Sequence, residues 1–392
     1  MAELFLEHSW HKNIAGTDRE WRVCLRDESE ELSSLHVMVR RMRIGSAREK
    51  TGGISQLETA EAHRHRGYAT RVLNSALERM VREKYAMCML HGIKDFYHRF
   101  GFAPVMAESK MYVQPSDLLR ARSDVPLRAM RATDGPAIAR LHNRLNASRN
   151  CSHVRPGYWT HFEGLFAVMR GYPKPRKTVV SVDAAGRLRG YAAMSYRDVK
   201  EASETGEPTR YAVSEIEGRD PKVLESLASH IGRSARRAGI ETVEFRLPYD
   251  HPFGQVGSLV GCRWEIEYPR NHRIVARITD LRSLFVGLEG ELSRRAQDAG
   301  LGARRHRILF TTDIGDAGLR ISGGAVQTMD SSERAEQTVE IPQAHLTQLV
   351  LGYRSAVSVC SMPVVRASAS VTPVLSALFP LSPGYIWWSD RF

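Results

Sequence analysis

The run best suited to chemistry is Arg64-His65-Arg66-Gly67-Tyr68-Ala69, set between an apolar stretch and an amphipathic one. Gly67 and Ala69 keep bulk away from the backbone, so the peptide N–H groups of the turn can face an anion. A helix starting there adds the positive end of its dipole. Arg64, His65 and Arg66 add basic side chains around the same point. The combination suits a phosphate group. Taken alone, Arg-x-x-Gly-x-Ala is a loose pattern that many helix starts share. A second candidate is Tyr97 in Phe-Tyr-His-Arg-Phe-Gly-Phe. A phenol of pKa about 10 stays protonated at neutral pH and can donate a proton. The competing reading is that Tyr97 packs with Phe96, Phe100 and Phe102. Cys88 lies in the apolar run Tyr85–Leu90 and reads as core rather than as a nucleophile. His63 and His65 have no third ligand at metal-site spacing.

These residues need elements to hold them. Ile54–Thr59 reads as a strand introduced by Gly52-Gly53. Thr70–Arg82 carries Val72, Leu73, Ala76, Leu77, Met80 and Val81 on one helical face. Tyr85–Leu90 reads as a buried strand. Upstream, Trp21–Leu25 and Leu35–Ile44 read as strands, and Leu4–Ile14 as a helix. From about Val125 a second unit follows the order strand, helix, hairpin, strand, helix, strand. Its hairpin is Thr178–Val182 with Leu188–Ser195, after a loop at Pro173–Lys177. Ala212–Glu217, the helix Lys222–Arg237 and Thr242–Leu247 complete it. This repeats the first unit's order, except that the first unit does not show an opening strand. One sheet edge there is left open. The second unit also lacks the glycine turn: Pro221 stands where N–H donors would be needed. A third unit starts near His272 with the strand Arg273–Ile278 and a helix to Ala299. A hairpin about Asp316-Ala317 and the helices Ala344–Leu351 and Thr372–Leu378 follow. The chain closes on Gly384-Tyr-Ile-Trp-Trp-Ser-Asp-Arg-Phe392.

The bulk properties narrow the class. The chain has 392 residues, enough for two or three domains. A formal net charge of +12 favours anionic partners. The basic residues are scattered without interleaved aromatics, which argues against a nucleic-acid partner. Five widely spaced cysteines form no metal or redox motif and fit a reducing, cytoplasmic setting. Met1–Trp10 is unlike a secretory signal, and no apolar run approaches the ~18 residues of a membrane helix.

The turn, its following helix and the Phe96–Phe102 element resemble the Gcn5-related N-acetyltransferase (GNAT) superfamily. The whole order, ending on an aromatic residue, is similar to the Eis (enhanced intracellular survival) type. That resemblance implies a mixed α/β and α+β architecture. Residues 1–118 would be a catalytic GNAT domain, with its opening strand in question. Residues 119–271 would be a degenerate GNAT-like domain, and 272–392 a sterol-carrier-protein-2-like (SCP2-like) domain. It implies acetyl-CoA as co-substrate, held by Leu57, Glu58, Thr59, His65, Arg66, Gly67, Tyr68, Ala69, Thr70, Gly92 and Ile93. It implies Tyr97 as general acid and the C-terminal carboxylate of Phe392 as general base. Glu58 and His91 are rival bases. The acceptor would be a primary amine of aminoglycoside, polyamine or lysine type, and the assembly a homo-oligomer, a hexamer in that family. The alternative is a lipid-binding or scaffold protein acting through the SCP2-like domain.

Overall fold

The computed structural model describes residues 3–12, 19–157, 177–197 and 209–392. The loop expected at Pro173–Lys177 lies outside these residues, except for Lys177, which opens a strand.

The first segment contains β1 (Phe5–Lys12), β2 (Arg19–Arg26), β3 (Glu31–Ile44), β4 (Ala47–Thr59), α1 (Tyr68–Arg82), β5 (Met87–Gly92) and β6 (Ala103–Pro104). β1 to β4 run antiparallel in order, and β4 pairs with β5 in parallel across α1. α1 buries Val72, Leu73, Ala76, Leu77 and Met80 on one side of the sheet. Each fully buried Val, Leu or Met contributes about 1.5–3 kcal/mol, so this helix face fixes α1 against β2, β3 and β4.

The next segment contains β7 (Glu108–Val113), β8 (Leu127–Ala129), α2 (Gly135–Leu145), β9 (Lys177–Val182), β10 (Leu188–Arg197), β11 (Arg210–Gly218), α3 (Pro221–Arg237), β12 (Val243–Phe245), α4 (Phe253–Val260) and β13 (Arg263–Glu267). Here too an antiparallel run leads into one parallel pair, β11 with β12, bridged by the amphipathic α3.

The last segment contains β14 (Arg273–Ile278), α5 (Leu281–Asp298), β15 (His306–Thr312), β16 (Gly315–Ser322), β17 (Ala325–Met329), β18 (Gln337–Glu340), α6 (Gln343–Val350), β19 (Arg366–Ala367) and α7 (Thr372–Leu378). Its five-stranded sheet, β17-β16-β15-β18-β19, is covered by α5 on β16 and β17. The fold is therefore mixed α/β and, among the described residues, has one parallel pair in each of three sheets.

The sheets do not follow sequence order. The first is β1-β2-β3-β4-β5-β14-β6 and the second β13-β7-β12-β11-β10-β9-β8. β14 leaves the last segment to lie between β5 and β6, and β7, which opens the second segment, lies between β13 and β12. The turn of the β3–β4 hairpin also docks on α5: Ser46 donates through Oγ (2.7 Å) and N (3.2 Å) to Glu291.

Three local expectations are corrected. Residues 5–12 form a strand, not a helix; β1 takes the free edge of β2, with Trp10 opposite Trp21. The turn of the β15–β16 hairpin falls at Asp313-Ile314, ahead of Asp316-Ala317. Gly52-Gly53 lie inside β4 rather than before it. A Cβ on Gly52 would strike Met80 of α1, and one on Gly53 would overlap the ring of Phe392. These are glycines because two other parts of the chain touch the strand backbone from opposite sides.

Candidate active site

β4 and β5 stay paired only from Thr51–Met87 to Ile54–Leu90. Beyond Ile54 the strands part. The cause is a bulge: between the pairs His36–Ser55 and Ser34–Glu58, both Gln56 and Leu57 face the single residue Leu35. Gln56 takes a left-handed φ of 51°. The extra residue bends β4 and leaves the edge of Leu57–Thr59 unpaired towards β5.

A cleft of about 790 Å³ opens in the gap. Leu57, Glu58 and Thr59 form one wall, His65, Gly67, Tyr68, Ala69 and Thr70 another, and Ile93 and Tyr97 a third. His63, Arg64, Phe96 and Arg99 also line it. Of the expected cofactor residues, Arg66 is exposed in the same turn, outside the lining. Gly92 sits behind Tyr97, where a Cβ would press the ring at 3.1 Å.

At the cleft mouth α1 begins with Gly67 at φ 78°, and no side chain caps it. A Cβ there would meet nothing within 4 Å, so glycine is favoured by the backbone conformation alone. The first-turn N–H groups and the helix dipole are left available for an anion. The second unit differs. α3 carries its own anion, because the Asp220 carboxylate accepts from Lys222 N at 3.0 Å. A cleft of this volume, with a strand edge on one side and an uncapped helix start on the other, fits an extended phosphorylated thioester.

Tyr97 is buried in the α1-side core with Cys88, Leu90 and Phe102. Its ring meets Phe96 edge-on at 4.9 Å and Phe102 at 5.9 Å. Burial, helped by Cys88, pushes the phenol up to about 12, so it remains a proton donor at neutral pH. The Cys88 thiol is fully buried and pushed up by that burial, which disfavours the thiolate a nucleophile needs.

Phe392 approaches from the other side of the sheet. Gly52 faces Met80 of α1, and its neighbour Gly53 faces Phe392. Tyr97, against β5, and Phe392, against β4, thus lie on opposite faces of the sheet, close to where the two strands part. Trp387 and Trp388 are buried, as is Ile386, so the tail is seated rather than loose. Arg391 pairs with Glu108 at 2.8 Å. Trp388 is stacked between Arg391 (4.0 Å) and Arg246 (3.9 Å). His91 lies near this pair. Burial, then Arg391, pushes its imidazole down to about 4, which leaves it neutral but weakly basic. Glu58 is exposed at the cleft rim.

Residues 6–105 match the family model for an acetyltransferase (GNAT) domain. The chain carries an acetyltransferase domain. No curated protein matches the sequence. Solved structures share its fold along nearly the whole length. A GCN5-related N-acetyltransferase from Kribbella flavida is 16% identical, with 96% of this chain and 89% of that one covered at a TM-score of 0.71. A probable N-acyltransferase from Enterococcus faecalis is 14% identical, with 95% and 89% covered at 0.74. Eis1 from Mycobacterium abscessus is 15% identical, with 95% and 91% covered at 0.64. Among the described residues no helix is long and apolar enough to cross a membrane.

Sequence reasoning passed over Phe96 and Arg99 as cleft residues and missed the charged side chains that hold the tail. The signal for Arg99 was its place two residues after Tyr97. Arg155, Glu215 and Asp390 gave no signal, because their association joins distant parts of the chain.

Proposed function

We propose that the chain is an acetyl-CoA-dependent N-acetyltransferase acting on a primary amine. The observation that carries this reading is the placement of Tyr97 and Phe392 on opposite faces of the sheet beside the parting of β4 and β5. The thioester enters from the α1 face, with its pyrophosphate at the start of α1 and its pantetheine arm along Leu57–Thr59. The amine enters from the Phe392 face. The terminal carboxylate takes a proton from the ammonium, directly or through a water. The free amine attacks the thioester carbonyl, the departing thiolate takes the phenol proton of Tyr97, and the proton then lost from the new amide nitrogen restores the phenol. No acetyl-enzyme forms, which agrees with the buried Cys88 thiol.

A free α-carboxylate has a pKa of about 3.3–3.7 and is a weak base in water. To take an ammonium proton near neutrality it must be desolvated or act through a water. In this reading the unit of residues 1–118 is catalytic. The unit of 119–271, whose helix start is capped by Asp220, binds no cofactor. The unit of 272–392 is SCP2-like and contributes the base. The resemblance to the Eis type adds a homo-oligomer, a cytoplasmic location and an acceptor of aminoglycoside, polyamine or lysine type.

The test is CoA-thiol release with a panel of polyamines, aminoglycosides and lysyl peptides. Turnover with at least one amine, lost on deletion of Phe392 while acetyl-CoA still binds, supports the reading. Full turnover without Phe392 would remove the terminal base. No turnover with any amine, together with tight lipid binding, would favour a lipid carrier.

A further inference from the structure

We propose that Arg155 is a positioning residue that locks the C-terminal tail, through Asp390, into the second unit at the parting of β11 and β12. The inference rests on the reading of the Phe392 carboxylate as base, and it assigns a role to a unit that otherwise has none in the reaction.

The second sheet repeats the parting seen in the first. β11 and β12 are paired only from Tyr211–Val243 to Val213–Phe245. Past Val213, Glu215 and Glu217 stand opposite Ala193 and Tyr191 of β10. Ala193 and Tyr191 pack with Ile138 and Leu141 of α2. Glu215 and Glu217 therefore share the α2 side of this sheet. In the first sheet the corresponding stretch of β4 lines the cleft.

The tail fills this place. Arg155 is fully buried and grips Asp390 through Nε (3.0 Å to Oδ1) and Nη2 (2.9 Å to Oδ2). Its Nη2 also donates to Ser389 Oγ at 2.8 Å and to Glu215 Oε1 at 2.7 Å. Its Nη1 donates to Glu215 Oε2 at 3.1 Å. Tyr191 donates its hydroxyl to the same oxygen at 2.7 Å. His153 meets Asp390 at 3.3 Å, and Trp387 donates Nε1 to Asn146 at 3.2 Å.

A planar guanidinium offers five donors in a fixed fork, so it can hold two carboxylates at once and set their separation. Glu215 fixes the fork to β11, and the fork fixes Asp390. Two residues later Phe392 meets Gly53. Chain ends fray unless tied down. Here the tie sits two residues from the reacting group, in a sheet whose helix start is capped by Asp220. Removing one partner leaves the other charge buried and uncompensated, so the arrangement resists partial loosening.

The test compares the parent, Asp390→Asn and the Phe392 deletion. Acetyl-CoA affinity and kcat against amine KM are measured on each, and release of phenylalanine by a carboxypeptidase that removes aromatic residues is measured on the parent and Asp390→Asn. Asp390→Asn is expected to keep acetyl-CoA affinity and amine KM within about twofold. Its kcat falls on the order of 10- to 100-fold, as for a catalytic group displaced by about an ångström. Phenylalanine release accelerates by at least about tenfold, at a temperature where circular dichroism shows the chain folded. If Asp390→Asn does not fold, Ser389→Ala is read in the same way for a smaller fall in kcat and a faster release. Unchanged kcat and unchanged release, with the Phe392 deletion inactive, would overturn the lock and leave the terminal base standing. Full activity of the Phe392 deletion would overturn both.

Discussion

Tyr97 and Cys88 show how burial assigns opposite fates to two ionisable groups in one core. Both are pushed up by loss of water. For the phenol this preserves a proton to give; for the thiol it withholds the reactive anion. Tyr97→Phe should therefore keep acetyl-CoA affinity and lower kcat by about 10²- to 10⁴-fold, the usual worth of a positioned acid. Unchanged kcat in a CoA-release assay would reduce Tyr97 to packing with Phe96 and Phe102. Cys88→Ala should keep turnover and lose about 1–2 kcal/mol of stability in denaturant unfolding, as for a small core truncation. The site was partly legible at this scale. Residues 57–59 and 65–70 are contiguous, and one strand and one helix start are enough to align them. Phe96 and Arg99 were harder, since only the short turn at residues 97–100 swings them into the cleft.

At the level of elements, the decisive feature is β4. Its bulge opens the cleft, and its paired glycines accept Met80 from one side and Phe392 from the other. Gly53→Ala should push the Phe392 ring away and lower kcat by at least about tenfold, with acetyl-CoA affinity unchanged by titration. Gly67→Ala should act differently. No neighbour opposes its Cβ, but the left-handed φ costs about 1–2 kcal/mol in an L residue. A lower Tm and weaker acetyl-CoA binding are expected, and Gly67→Asn should recover part of both. The helices α1 and α3 were legible from their apolar faces. Residues 5–12 were not: their strand forms because β2 has a free edge to pair with, and a short segment cannot announce its partner.

Across the whole molecule, the segments are bound by exchange. β14 of the last segment lies in the first sheet, and α5 holds the β3–β4 hairpin. Glu49 of β4 lies at this junction against Gly287 of α5. Burial pushes its carboxyl up from 4.5 to about 7. The folded chain then holds a proton that the unfolded chain releases from pH 4.5 upwards. Stability from this group is fully present below pH 4.5 and is lost as pH rises through about 7. Glu49→Gln should flatten that decline. Thermal unfolding at pH 5 and pH 7.5 checks it, and an equal slope in both proteins would exclude Glu49 as the cause.

By itself the sequence determined the local chemistry: a phosphate-friendly turn at Arg64–Ala69, a protonated phenol at Tyr97, two similar element orders, and an aromatic chain end. Each depends on residues near one another, where spacing alone dictates which face they share. Only the tertiary structure decided that Phe392 rests on Gly53, that β14 completes the first sheet, and that Arg155 joins β11 to the tail. These contacts join residues at least 60 positions apart, and no periodicity in the chain records which distant groups will meet.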